Sequence, residues 1–204
     1  MQLETRDLIL RESEFTDLDT FFEWETRPEV TEFFSISAGQ TKEDVYRKFF
    51  ADRDDPGARQ FTIWKKPSAG DKTASPACAD KDEAEAVAAA GKPVRVGRIV
   101  LADLIPGWKG EVWRIYIADP ALRNRGYGAQ ALTAVLRYMF GELAMERVYL
   151  DFYTGNPAEY LYRKLGFTEE GVLRKNCRKD DVLHDVHLMS MLREEFEARF
   201  TAGQ

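Results

Sequence analysis

The 204-residue sequence holds only two cysteines and two histidines. With no C-x-x-C pair and no clustered histidines, neither a disulfide framework nor a Cys/His metal site is available, and no metal is expected. Cys78 and Cys177 both read as loop residues; a reducing compartment favours free thiols, with a disulfide between the two as the alternative. No apolar run approaches the roughly 20 residues that cross a bilayer, and no basic-then-apolar leader opens the chain. The expectation is a cytoplasmic protein with no membrane attachment. Surplus positive charge is missing too: 29 Lys and Arg face 35 Asp and Glu, a net charge of −6. That balance argues against nucleic acid as a partner, because phosphate-backbone affinity comes from lysine and arginine surplus. A Gly-Lys-Ser/Thr phosphate loop is absent as well.

What is present fits one domain over residues 1–204, with enough length to bury a substantial core. Alternation over Leu3 to Arg11 suggests a first strand crossing an edge or bend. Thr16 followed by Asp19 resembles a capping box, with Leu18, Phe21, Phe22 and Glu25 at helical spacing behind it and a stop before Pro28. Val30 to Ile36 reads as irregular. Thr41-x-x-Asp44 then caps a second helix carrying Val45, Phe49 and Phe50. Phe61–Trp64 and Val94–Asp103 are strands. Between them residues 65–93, rich in Ala, Lys, Asp, Ser and Pro, cannot bury enough apolar surface to offset ordering entropy. They read as a mobile insertion in place of a hairpin turn, with a lid or partner-binding role as the alternative.

Glu111–Ala118 is the next strand, and it feeds the most informative stretch, Ile115 to Leu132. An apolar β-branched run passes a turn at Pro120, two arginines and two glycines, then leaves with Leu132, Val135, Leu136, Met139, Phe140 and Leu143 on one helical face. The first turn of that helix points unpaired N–H groups into the loop, where the aligned peptide dipoles favour negative charge. Gly126 and Gly128 let backbone approach a phosphate, and Arg123 and Arg125 add charge-assisted donors. A pyrophosphate is the natural occupant. The dinucleotide fingerprint tolerates Ala131 as its third small residue, yet it normally opens a fold on the first strand, and this loop lies past mid-chain. Arg147–Tyr153 is a further strand. Asn156-Pro157-Ala158-Glu159 starts a helix with Asn as N-cap, and Gly166 ends it. Thr168–Arg174 and Asp181–Met191 read as a closing antiparallel pair, and Leu192–Phe200 as a short helix.

Three segments carry a resemblance. Arg123-x-x-Gly126-x-Gly128 resembles the acetyl-CoA pyrophosphate loop of the GNAT superfamily of N-acetyltransferases. Tyr162-Arg163-Lys164-Leu165-Gly166-Phe167 resembles that superfamily's Y-x-K-x-G-F signature, and Asp185 to Phe196 its last strand and tail. The best subgroup fit is the ribosomal-protein N-terminal acetyltransferase type. The resemblance implies an α+β fold: one domain with a mixed, mostly antiparallel central sheet, two central parallel strands splayed for acetyl-CoA, and flanking helices. It also implies direct transfer of an acetyl group from acetyl-CoA, as cosubstrate, to a primary amine, either a protein N-terminus or a small molecule, by a monomer or homodimer. A non-catalytic acyl-CoA-binding module on the same fold is the alternative.

The resemblance further implies cofactor contacts from the main chain of Ile115, Tyr116 and Ile117 and from Arg123, Asn124, Arg125, Gly126, Tyr127 and Gly128. Asn156 is a further candidate, although it stands six residues before Tyr162 where relatives usually have seven, and its capping role alone explains it. Acyl transfer needs a neutral amine and benefits from an acid for the leaving thiolate. Tyr162 aligns with the superfamily's tyrosine and is the candidate acid, with Tyr160 weaker; Asp151 and Glu111 are the candidate bases. By the same resemblance the region holding Trp24, Glu25, Glu32, Phe33 and Phe34 lines the acceptor site, although a core-packing aromatic cluster with solvated acids is the simpler reading of any one of them. His184 and His187 read as surface residues, and Cys177 as an inert thiol.

Overall fold

The computed structural model describes residues 1–36, 39–67 and 91–200. The alternation over the first residues resolves into two short strands, β1 (Gln2–Glu4) and β2 (Leu8–Glu12), folded back on each other. The turn between them is fixed by Thr5, whose hydroxyl accepts from the Leu8 N–H at 2.9 Å. The capping box sits two residues earlier than Thr16–Asp19: Glu14 and Asp17 bracket a short 3-10 turn, Phe15–Asp17, that runs into α1 (Leu18–Glu25). Asp17 holds that place because Thr62 and Arg95 both donate to its buried carboxylate, each at 2.7 Å. The segment read as irregular contains a helical turn, α2 (Pro28–Thr31), with Pro28 at its first position. The Thr41–Asp44 box does cap α3 (Lys42–Asp54).

Strands β3 (Arg59–Lys65) and β4 (Val94–Ile105) pair antiparallel from Arg59↔Leu101 to Lys65↔Val94. Residues 68–90, which hold most of the inferred insertion and Cys78, lie outside the described residues. Then come β5 (Lys109–Ile117), α4 (Tyr127–Arg137) running into a π-helical turn at Tyr138–Glu142, and β6 (Arg147–Tyr153). After these follow α5 (Ala158–Leu165), β7 (Thr168–Lys179), β8 (Val182–Leu192) and α6 (Arg193–Phe200). The closing hairpin is longer than its sequence pattern suggested, so Cys177 lies in β7 and not in a loop. No helix among the described residues is long and apolar enough to cross a membrane.

The eight strands form one sheet in the order β1-β2-β3-β4-β5-β6-β8-β7, with β5 and β6 its parallel pair and all other neighbours antiparallel. Two apolar clusters cover it. On one face α4 buries Leu132, Val135 and Leu136, with Met139 and Phe140 of the following turn, against Phe61, Ile63, Ile99 and Leu150. On the other, α1 and α3 supply Leu18, Phe21, Trp24, Val45 and Phe49, which close over Tyr116 and Ala118. Each fully buried Leu or Phe contributes about 1.5–3 kcal/mol. The helical stripe is therefore what presses the start of α4 against the end of β5.

Candidate active site at the parted strands

The two parallel strands stay together only from Lys109–Glu111 on β5 and Arg147–Tyr149 on β6. Beyond that, β5 keeps β4 along one edge as far as Gly97↔Ile117, and among the described residues it has no ladder partner on the other. A bulge starts the divergence: Leu101 pairs with Val112 and Val100 with Arg114, leaving Trp113 as the extra residue that bends the strand. Gly97 holds the bent strand close, since a Cβ there would stand 2.1 Å from the Tyr116 carbonyl oxygen. Main-chain edges of Ile115, Tyr116 and Ile117 thus face an opening. A cavity of about 190 Å³ occupies it, lined by Arg114, Ile115, Asp151, Tyr162 and Cys177, with Phe34 reaching in from beyond α2.

At the end of β5 the chain turns through Pro120–Leu122 and swings into α4 by way of Asn124 (φ 59°) and Gly126 (φ 83°). The left-handed backbone at Gly126 favours glycine, and a Cβ there would project into open space. At Gly128 a Cβ would make ordinary contact with Leu161 at 3.5 Å. Gly126 caps α4 without a side-chain bond, so its first N–H groups, from Tyr127 onward, have no partner within the helix. The arginines divide. Arg123 folds back, its Nε donating to the Ile117 carbonyl at 3.0 Å and its Nη2 to the Glu29 carbonyl at 2.9 Å, so it braces the loop. Arg125 is exposed, with no partner among the described residues. An open left-handed cradle, free amide donors and an unengaged guanidinium fit a diphosphate.

The ionisable candidates gather where the strands part. Glu111 is the last β5 residue paired to β6, opposite Tyr149. Burial and the charges of Asp151 and Asp103 raise its carboxyl to about 7. Asp151 is exposed on β6; the protein packed around it nonetheless displaces enough water to raise its carboxyl, and its charge also bears on Tyr162, whose phenol burial already pushes well above the ordinary range. Asp151 therefore lies within electrostatic reach of both. Tyr162 is 6% exposed on α5, its ring against Phe152 and Phe167. Tyr160 is 74% exposed and looks elsewhere. Nearby, Asp103 accepts from Lys109 and from the Tyr149 hydroxyl, which keeps it ionised. Asn156 lines the cavity, and its Oδ1 accepts from the Ala158 N–H at 2.9 Å; α5 starts one residue later than the sequence suggested, with Pro157 as N-cap, so Asn156 closes the turn before the helix and that oxygen is engaged there.

Residues 7–168 match a family model described as an acetyltransferase (GNAT) domain. The chain belongs to that family. GNAT acetyltransferases are acyltransferases that use acetyl-CoA as cosubstrate, and the fold bears out the α+β architecture expected of one. Over 197 residues it is 23% identical to the N-acetyltransferase YnaD of Bacillus subtilis, covering 96% of this chain and 99% of that one. The prophage-derived N-acetyltransferase YokL of the same organism is 40% identical over 76 residues, a match that spans 37% of this chain and 43% of that relative. Among solved structures, spermidine N-acetyltransferase from Vibrio cholerae, in complex with CoA and spermine, superposes with a TM-score of 0.74 at 19% identity. That superposition covers 94% of this chain and 99% of that one. A GCN5-related N-acetyltransferase from Brucella melitensis superposes with a TM-score of 0.72 at 18% identity, over 99% and 83% of the two chains. At these identities the superpositions speak for the fold alone.

Within this GNAT domain the acceptor-pocket candidates separate. Trp24 is core, packed between Phe21 and Tyr116. Phe33 and Phe34 line the cavity between the parted strands. Glu25 sits in a buried charge cluster: its Oε1 accepts from Arg98 at 2.7 Å, Arg114 at 2.8 Å and the Tyr116 hydroxyl at 3.1 Å. Burial pushes its carboxyl up, but Arg114 and Arg98 outweigh this and leave it below the ordinary range. Sequence reasoning missed Arg98 and Arg114, because an arginine inside an apolar strand pattern carries no local signal of its partner 73 or 89 residues away. His187, read from the sequence as a surface residue, is mostly covered: its ring stacks on Phe152 at 5.2 Å and is held between Glu169 at 3.1 Å and Thr154 at 2.9 Å.

Proposed function

We propose that this GNAT domain transfers an acetyl group from acetyl-CoA directly to a primary amine that approaches from the α1–α3 face of the sheet. The observation that carries the reading is the coincidence, at one parting of β5 and β6, of a raised carboxyl, a buried phenol and the amide-rich start of α4. Bound there, acetyl-CoA supplies an activated thioester. Its diphosphate is assigned to the N–H groups of residues 126–129 and to Arg125, and its pantetheine arm to the open main-chain edge of Ile115–Ile117. Arg123 and Asn124 shape the loop, and Asn156 stands at the cavity wall.

Glu111 is the base. Held near 7 it is ionised over the upper half of the physiological range, and it takes the proton from the acceptor ammonium. Asp151 raises the proton affinity of Glu111 and of Tyr162 by its charge. Tyr162 keeps its proton at Oη throughout the working range and donates it to the departing sulfur. The acceptor is a small amine or the first residue of a polypeptide, as in the ribosomal-protein subgroup. The test is thiol release from acetyl-CoA over a panel of small amines, polyamines and N-terminal peptides, with Tyr162→Phe alongside. Turnover that falls steeply in Tyr162→Phe supports the reading. Tight acetyl-CoA binding with no turnover of any amine would instead identify a non-catalytic acyl-CoA-binding module.

A further inference from the structure

Arg114 occupies an unusual position for a charged side chain. It lies just past the bulge, is 8% exposed, and has its guanidinium 4.4 Å from the centre of the Trp113 ring and 5.7 Å from that of Phe34. A guanidinium has five N–H donors in a rigid fork. Arg114 engages Glu25 through Nη1, and the described residues offer no acceptor to its other nitrogens. These nitrogens are not sealed in: Arg98 Nε is among the buried nitrogens without a partner, and those of Arg114 are not. Arg114 lines the cavity between the parted strands and also a second one, of about 400 Å³, that adjoins it through Ser35 and Trp113.

The charge on the second cavity's wall points the same way. It carries Lys48, Arg98 and Arg114 against Glu25 and Asp44. Glu25 is already shared by Arg98, Arg114 and Tyr116, and Asp44 is held in its cap by Thr41 and by Arg47. Lys48 pairs with Asp52. Two buried guanidiniums thus meet on one carboxylate oxygen. One carboxylate therefore answers two guanidiniums, which leaves a surplus of positive charge at the cavity wall, where an anionic group would find it.

We infer that Arg114 is a recognition fork for a carboxylate carried by the acceptor, so that the substrate class is an amine bearing a carboxylate. This rests on the proposed acetyl transfer. The two strands then divide the acceptor between them: Arg114 on β5 takes the carboxylate in a paired, planar geometry, while the carboxylates of Asp151 on β6 and of Glu111, where the strands part, attract the ammonium that Glu111 deprotonates. A polycation would instead meet Lys48, Arg98 and Arg114 along this wall. The carboxylate belongs either to a free amino acid or to an acidic side chain at the start of a peptide.

The experiment uses matched pairs. A free amino acid is set against its amide, a Glu-initiated tripeptide against its Gln-initiated counterpart, and spermidine serves as the cationic reference, each with acetyl-CoA and the wild-type chain. The expected result is a kcat/KM roughly ten- to hundredfold higher for the carboxylate member, carried mainly by KM, and lost in Arg114→Lys, which keeps charge but not the fork. Preference in the first pair alone identifies a free amino acid, and in the second a polypeptide. Equal use of both members, or preference for the amides or for spermidine, overturns the inference and leaves acetyl transfer standing. If no amine is acetylated, thermal stabilisation by the same pairs decides: stabilisation by the carboxylate member alone supports the fork, and equal or absent stabilisation overturns it. Because the wild-type comparison needs no variant, poor folding of Arg114→Lys does not protect the claim.

Discussion

Replacing Glu111 by Gln separates two consequences of one part-buried carboxyl. The fold raises that group from 4.5 to about 7, first by burial and then by the charges of Asp151 and Asp103. At about 1.4 kcal/mol per tenfold change in acidity, the ionised form would be disfavoured by about 3 kcal/mol. Glu111 retains some exposure, and solvent screening brings this to about 1–2 kcal/mol. The sign follows from the raised value. Below the ordinary value both folded and unfolded chains hold the proton, and nothing is lost. As pH rises through about 7 the folded chain must ionise the group in place, and the destabilisation becomes complete. The E111Q chain avoids that cost. Scanning calorimetry should therefore find the two chains melting together near about pH 4.5, and E111Q melting about 2–8 °C higher at about pH 8.5. Thiol release should move the opposite way. The wild-type rate falls as pH drops through about 7, and E111Q loses about 10²–10⁴-fold in kcat along with that acid limb. An E111Q chain less stable than wild type at high pH, or a wild-type rate flat across neutrality, refutes the assignment.

Three further outcomes follow from the same geometry. Tyr162→Phe removes one oxygen from a side chain that is otherwise packed on Phe152 and Phe167, so steady-state kinetics should show kcat down about 10²-fold or more with the KM for acetyl-CoA held. Gly97→Ala sets a Cβ 2.1 Å from the Tyr116 carbonyl oxygen, and the close approach of β4 to β5 must give way. Urea denaturation should report a loss of about 1–3 kcal/mol or more, and acetyl-CoA affinity should fall with it. Glu25→Gln leaves Arg98 and Arg114 without their shared anion and should cost about 3–5 kcal/mol near neutrality. Because the carboxyl is held below its ordinary value, that difference should shrink as pH falls through the acid range.

Much of this was legible in the chain, and the residues explain why. Elements set by local rules read correctly: the Thr41–Asp44 cap, the stripe from Leu132 to Phe140, the glycine stop at Gly166 and the apolar run of β5 need only neighbours within a few residues. The first cap was misplaced because Asp17 is fixed by Thr62 and Arg95, residues far along the chain. The single strand over Leu3 to Arg11 became two because the Thr5 turn competes locally with extended pairing. In the candidate site, the loop and the candidates Glu111, Asp151 and Tyr162 were named from motif and resemblance, and their catalytic roles remain a proposal. The engagement of Arg123 with carbonyls, the bulge at Trp113 and the Glu25–Arg98–Arg114 cluster did not, since each depends on which strands become neighbours.

The central claim is that the start of α4 and the parting of β5 from β6 together hold acetyl-CoA. Calorimetric titration of acetyl-CoA into the wild-type, Arg125→Glu and Tyr162→Phe chains tests it most directly. Wild type and Tyr162→Phe should bind saturably and one-to-one, with stabilisation of about 2.7 kcal/mol at a hundredfold excess over Kd, and Arg125→Glu should lose binding. Equal binding in all three chains, or none to wild type, contradicts it.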